Sequence, residues 1–559
     1  MRRILLSLVL LMLPAAALAQ GVNVSVSVDT SKPGAEISRH IYGQFVEHLG
    51  RGIYEGIWVG ENSKIPNTRG YRNDVVAALK KIKVPVMRWP GGCFADLYDW
   101  RDGIGPRAKR PVRVNVHWGG VTEDNSFGTH EFLNLAELVG AEAYVSINVG
   151  TLTPYDASQW LEYMTSDSKS SLANERRRNG RDKPWKVKFV GIGNETWGCG
   201  GNMRPEYAAD IQRRYATFAN TPRDMGTLKI ASGSHDDNYE FAEVMMKNGG
   251  RFDGLSVHYY TVPRVFRDKG AATGFPEAEW ASTLDHARHV ETIVTKTAEI
   301  MDKYDPARKI GLYFDEWGTW YDQEPGSTPG FLYQQNTLRD AEVAALHLNI
   351  FHRHTDRVKM ANIAQMINVL QAMILTDKEK MVLTPTYHVF EMYVPFQGAT
   401  PYPASVSGGG YKNGDTSLPS VDVSAARGKD GKLYLSLVNL DPNKPAHVVT
   451  NLSGTAKGRI LTGAAMDTRN TFGAPHAIRP MPFSGSSDNG KLAFDLPAGQ
   501  VVKLAPGGFH VMLFDIKAPI KPGDKVKLTL KIEQGGKVQD VQVVAAVKPP
   551  SAAGGHADH

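Results

Sequence analysis

Along residues 22–29, VNVSVSVD, apolar and polar side chains alternate, which is the period of a strand with one buried face. From about residue 38 to 390 the pattern changes. Short apolar runs recur, each followed by a Gly-, Asn- or aromatic-rich stretch and then by helical periodicity. The runs are 37–45 (ISRHIYGQF), 84–90, 141–149, 187–193, 228–234, 254–260, 309–317 (KIGLYFDEW) and 361–367. Between them lie amphipathic segments at 74–82, 207–220 and 284–304. Strands alternating with helices predict a parallel sheet, and eight such units predict a closed (β/α)8 TIM barrel over 37–394. An open doubly wound sheet is the alternative, but its Gly-x-Gly-x-x-Gly fingerprint after the first strand is missing.

After about residue 395 the helical period stops. Short strands at 432–440, 446–451, 457–464, 491–496, 500–505 and 509–515 predict a C-terminal antiparallel β-sandwich over 395–547. The segment 20–36 has no partner in the barrel pattern and is expected to join that sandwich. Residues 525–547 read as a hairpin around Gly535-Gly536, and 548–559 read as a disordered tail.

Composition narrows this little. The 559 residues are 42% apolar and 22% charged, which excludes a collagen-like or wholly disordered chain. Sixty-four basic against 58 acidic residues give +6, a mild excess over this length that calls for no nucleic acid. Two cysteines exclude a disulfide scaffold or a zinc ribbon. Residues 1–19 have a positive start at Arg2-Arg3, an apolar run and a small-x-small end at Ala17-Leu18-Ala19. They read as a cleaved signal peptide, hence an exported, periplasmic or extracellular protein with no membrane attachment after cleavage.

In such a barrel, active residues stand at the C-terminal ends of strands. Glu195 ends the fourth strand in GIGNETWG and Glu316 the seventh in YFDEWGTWY. Two carboxyls facing one mouth suit glycosidic-bond hydrolysis, one protonating the leaving oxygen and the other attacking the anomeric carbon. Trp197, Trp317, Trp320 and Tyr321 crowd both segments, and aromatic faces suit the C–H faces of sugars. The plainer reading of each Glu is an exposed residue near a strand end. Both at strand ends, each followed closely by Trp, favour the catalytic one.

The motifs IYGQFVEHLGRGIYEGIW (41–58), RWPGGCFADLYDWRDGIGPRAKRP (88–111), WKVKFVGIGNETWGCGGNM (185–203), LSVHYY (255–260), FDEWGTWY (314–321) and NIAQMINVLQAMI (362–374) resemble those of α-L-arabinofuranosidases of glycoside hydrolase family 51. The resemblance covers roughly 22–500. It implies that Glu195 is the acid/base and Glu316 the nucleophile of a retaining enzyme, their carboxyls about 5–5.5 Å apart. It further implies that Asn194, Glu47, Tyr260 and Gln365 hold sugar hydroxyls and that Arg88 stands beside the nucleophile. A guanidinium there keeps a carboxylate ionised for attack. Glu195 must hold its proton until the bond breaks, which calls for partial burial. Trp320 is a further substrate contact, and Asp315 reads as structural. The family often has Asn where this chain has Cys93, a poor hydrogen-bond partner. Cys199 reaches the same face, and a Cys93–Cys199 bridge is as expected as two free thiols. His40, His48, His235 and His258 lie near strand ends but lack metal-site spacing, so neither a catalytic metal nor any other cofactor is expected. The run Arg176-Arg177-Arg178 reads as a solvated face.

Residues 496–544 also resemble the C-terminal half of periplasmic copper chaperones, with His510 and Met512 after a PGG turn and His556 and His559 in the tail. The upstream ligands are missing. A strand that only completes the sandwich is the favoured reading, with weak Cu(I) binding as its rival. The expected partner is an arabinofuranosyl-containing oligo- or polysaccharide, and the family resemblance suggests a homo-oligomer. An endoglucanase or xylosidase on the same barrel, or a non-catalytic carbohydrate- or copper-binding periplasmic protein, are the alternatives.

Overall fold

A computed structural model of the chain describes residues 21–498, 525–534 and 537–546. Eight parallel strands close into a barrel: β1 (Gly43–Phe45), β2 (Val86–Trp89), β3 (Glu142–Ile147), β4 (Val187–Ile192), β5 (Leu228–His235), β6 (Gly254–Thr261), β7 (Gly311–Thr319) and β8 (Val358–Ile363). Each lies within or overlaps one of the eight apolar runs. Every residue of β6 and β7 is buried, because helices cover the outer face and the barrel interior the inner one. The first strand is shorter than its apolar run. Ser38 accepts a hydrogen bond from His40 N and starts a 3-10 turn over Arg39–Tyr42, leaving three residues for the sheet.

The barrel floor is apolar. Val86, Tyr144, Phe189, Ile230, Tyr313 and Met360 form one buried cluster there. Above them the inward side chains turn polar, with Arg88, His258 and Asp315 all buried. This change along the axis sets the site at the C-terminal mouth.

Two sheets follow the barrel. The five-stranded one runs 404–407, Val22–Val28, Ala446–Thr450, Lys491–Leu496 and Ser486–Asp488, so the N-terminal strand lies inside it. The three-stranded one runs Thr400–Tyr402, Val421–Arg427 and Leu433–Asn439. Val24, Val26, Val28, Val423, Val448 and Phe494 fill the space between them. Sequence periodicity overlooks the strand Val421–Arg427, VDVSAAR. Four of its residues in succession are buried, since its outer face lies on the helix Leu338–Arg353. There Asn349 Nδ2 donates to Asp422 Oδ1 at 2.7 Å, and His352 Nδ1 meets Ser424 Oγ at 2.9 Å.

The basic run at 176–178 is not simply a solvated face. Arg176 is fully buried at the end of the helix Ser171–Arg178 and donates to the carbonyls of Tyr163, Ser166 and Asp182. A planar fork of donors can close off that many free carbonyls at once, and this is what takes an arginine inside. Lys525–Gln534 and Lys537–Ala546 pair antiparallel in a second unit that begins at Val502. The leader 1–19, the strand readings 500–505 and 509–515, Gly535-Gly536, His510, Met512 and the tail with His556 and His559 lie outside the described residues.

Candidate active site

The acid at the end of β4 is placed by a tight reversal of the chain. Glu195 has φ +42, a left-handed conformation that a glutamate adopts only when its surroundings enforce it. They do so here through its carbonyl, which accepts from Gly198 N at 2.7 Å and Gly200 N at 3.1 Å. Gly200 is needed for that return. A Cβ at this position would lie 1.8 Å from Asn194 O. Asp96, in the loop after β2, holds the other side. Its Oδ2 accepts from Asn194 N at 2.9 Å and its Oδ1 from Val149 N at 2.7 Å. Burial pushes this carboxyl up to about 7.

Glu316 projects from β7. Arg88 Nη1 donates to its Oε2 at 2.9 Å, and Tyr260 OH donates to its Oε1 at 2.6 Å. Burial, reinforced by the charge of Glu316, raises Tyr260 well above the usual phenol range, so it remains a donor. Arg88 also donates through Nη2 to Asn194 Oδ1, linking the ends of β4 and β7 that carry Glu195 and Glu316. An oxygen of Glu195 and one of Glu316 stand within 4.8 Å of each other, with a ring nitrogen of His258 in the same span.

Sequence reasoning set His258 aside with the unused histidines, and the structure puts it between the two acids. Its Nδ1 is 2.9 Å from Glu195 Oε1 and 3.5 Å from Glu316 Oε2, while Nε2 is 3.2 Å from Asp315 Oδ1. Burial opposes the charge on the ring, but Glu316, Asp315 and Glu195 outweigh it and bring the imidazole up to about 10. Its position on β6, two residues before Tyr260, was the available signal: alternate residues share a face.

Glu47, in the loop after β1, is the third carboxyl of the pocket. Phe94 N at 3.1 Å and Trp118 Nε1 at 2.9 Å donate to Oε1, and Gln365 Nε2 at 3.1 Å to Oε2. Burial first, and Glu316 second, lift Glu47 to about 7 despite these donors. Trp118 carries no motif and was missed. Cys93 and Cys199 form a disulfide, Cα atoms 5.4 Å apart, joining the loops after β2 and β4. Cys199 Sγ lies 3.5 Å from Glu195 Oε2. Trp197, Trp320 and Cys93 line the pocket beside Glu47, Tyr260 and Gln365, around a volume of about 290 Å³. Trp317 and Tyr321 do not line it. Trp317 packs outward on His347 and Phe351, and Tyr321 against Arg339, because side chains alternate in direction along an extended chain. His235 lines the rim against the Trp197 ring. His48 bonds Glu123, and His40 pairs with Glu142.

Paired carboxyls at this spacing in the mouth of a TIM barrel define a glycoside hydrolase. Comparison with known proteins narrows the class. The family model of the α-L-arabinofuranosidase 1 domain matches residues 78–273, and that of the α-L-arabinofuranosidase C-terminal domain matches 315–499. An intracellular exo-α-L-arabinofuranosidase of Bacteroides ovatus is 50% identical over 507 residues, spanning 88% of this chain and 99% of its own. The crystal structure of the arabinofuranosidase of Xanthomonas axonopodis pv. citri has 54% identity and a TM-score of 0.84, covering 86% of this chain and 98% of its own. That of the Thermotoga maritima enzyme in an arabinose complex has 31% identity and a TM-score of 0.73, covering 86% and 98%. The chain belongs to glycoside hydrolase family 51, and it is an α-L-arabinofuranosidase. A bifunctional glucanase-xylanase at 13% identity and TM-score 0.53 shares the fold alone.

Two expectations are corrected by these comparisons. The reading of an exported, periplasmic protein with a signal peptide is overturned by the Bacteroides relative, which is named intracellular. Among the described residues no helix is long and apolar enough to cross a membrane. The copper-chaperone likeness of the C-terminal segment is not upheld either. The family model that matches 484–544 is described as an LpqE-like lipoprotein. The sequence reading rested on the stretch 496–544, with His510 and Met512 after its PGG turn and His556 and His559 in the tail; without the upstream ligands such a pattern does not separate a metal strand from an ordinary one.

Proposed function

We propose that the chain releases terminal α-L-arabinofuranosyl residues with retention, Glu316 acting as nucleophile and Glu195 as acid/base. The observation that carries this reading is the separation of the two carboxyls, within 4.8 Å. A direct displacement by water needs about 6.5–9.5 Å between them, and double displacement about 5–5.5 Å. Glu316, aimed by Arg88 and Tyr260, attacks the anomeric carbon as Glu195 protonates the departing oxygen. Glu195 then takes a proton from water, which cleaves the glycosyl ester. Glu47, Asn194 and Gln365 supply polar atoms to the ring hydroxyls, and Trp118 and Trp320 supply apolar walls. At about 290 Å³ the pocket is at the small end for ligand sites, which favours removal of terminal units over cleavage within a chain.

Removing each acid in turn tests the roles. Glu316→Ala is expected to lose at least a thousandfold in kcat. Azide should partly restore turnover and give the arabinosyl azide of inverted configuration. Glu195→Ala with azide should give the azide of retained configuration. The same anomer from both variants would refute the assignment.

A further inference from the structure

Asp315 stands next to the nucleophile in sequence and, across a shift of strand register between Phe314 and Trp317, meets the same Arg88 and His258 side chains, yet no step above uses it. It is 2% exposed, with one hydrogen-bond donor and two ion-pair neighbours. Tyr144 OH, from β3, donates to its Oδ2 at 2.7 Å. Arg88 Nε, from β2, is 3.5 Å from that same oxygen. His258 Nε2, from β6, is 3.2 Å from Oδ1. Arg88, His258 and Tyr144 together hold the Asp315 carboxyl below the usual carboxylate range in spite of its burial. Asp315 is therefore a fixed negative charge behind the imidazole whose far nitrogen faces both catalytic glutamates.

We propose that Asp315 is a positioning residue for the acid/base, holding His258 as an imidazolium whose Nδ1–H follows the negative charge as it passes from Glu316 to Glu195. This rests on the roles assigned to those two residues above. Before the first step Glu316 is the carboxylate and Glu195 carries the proton. The proton then leaves with the departing oxygen, while Glu316 becomes a neutral ester. The pair keeps one negative charge throughout, but its place changes. Nδ1 lies 3.5 Å from Glu316 and 2.9 Å from Glu195, so a cation there meets the charge at both stations without moving. Proton transfer from Glu195 is favoured because the carboxylate it leaves behind already has a charged donor. A neutral imidazole in this place would lose that attraction, and it could accept the proton of Glu195 and withhold it from the substrate. The other charged groups near His258 are Arg88, across the barrel, and Asp236, whose backbone N donates to the His258 carbonyl. Among the described contacts, Asp315 is the anion facing His258 that takes no direct part in the chemistry.

The readout is the leaving-group dependence of kcat/KM, which reports only the steps up to glycosyl transfer. Asp315→Asn keeps the shape and removes the charge. With aryl arabinofuranosides of increasing phenol pKa, the variant should lose little on the most acidic phenol and about a hundredfold on the least acidic, within the range of general acid catalysis. Tyr144→Phe should steepen the dependence in the same direction, by less. Each slope is measured within one protein preparation, so incomplete folding cancels. An equal loss across the series for Asp315→Asn would overturn the proposal. Glu195→Ala, run on the same series, tells the role of Asp315 apart from that of the acid/base itself. If it shows no leaving-group dependence, the acid/base assignment itself fails. If it does and Asp315→Asn does not, only the role of Asp315 falls.

Discussion

Glu47 shows how a functional residue strains the fold that holds it. Its carboxyl is buried beside Glu316 and lifted to about 7, well above the value of an exposed glutamate in the unfolded chain. Between those two values the folded protein holds more protons than the unfolded one, so stability falls as pH rises through the window. The shift corresponds to about 3 kcal/mol at pH 8 and under about 1 kcal/mol at pH 5. Glu47→Gln should therefore be more stable than the parent at pH 8, with the gap closing toward pH 5, while turnover collapses. Thermal denaturation at the two pH values checks this; a variant less stable at both would contradict it. The juxtaposition of Glu195 and Glu316 was legible in sequence because each ends a strand in a distinctive motif. Trp118, Asp96 and His258 were not, since their value lies in what they touch across the barrel. Trp118 reaches Glu47 from 71 positions away, and Asp96 reaches Asn194 from 98.

At the scale of elements, the β2 and β4 loops carry most of the fine positioning, and the Cys93–Cys199 bridge ties them across 106 residues. Closing so long a loop removes much freedom from the unfolded chain, typically worth about 2–4 kcal/mol. Thiol titration of the denatured, unreduced protein should find no free thiol. Cys93→Ser/Cys199→Ser should lower the unfolding free energy by that amount in denaturant titration. Two free thiols, or a double variant of unchanged stability, would contradict the bridge. The eight barrel strands were legible as apolar runs because parallel strands are buried on both faces. Where sequence failed, tertiary contact had overridden the local pattern. Val421–Arg427 lost its alternation under the helix Leu338–Arg353, and Arg176 was drawn inside by free carbonyls.

For the whole molecule, an apolar floor and a polar mouth turn one barrel into a directional device. The mouth gathers Glu47, Asn194, Glu195, Tyr260, Glu316 and Gln365 from five separate strand ends. The fold alone is shared with enzymes of other specificity, so the carboxyl geometry defines the reaction. By this geometry the two carboxyls work by double displacement. Proton NMR of the first sugar released from a nitrophenyl α-L-arabinofuranoside by the full chain, followed before mutarotation, tests it most directly. Double displacement predicts α-L-arabinofuranose as the first-formed anomer, giving way to the β-furanose and the pyranose forms only as mutarotation proceeds; β-L-arabinofuranose appearing first would contradict it.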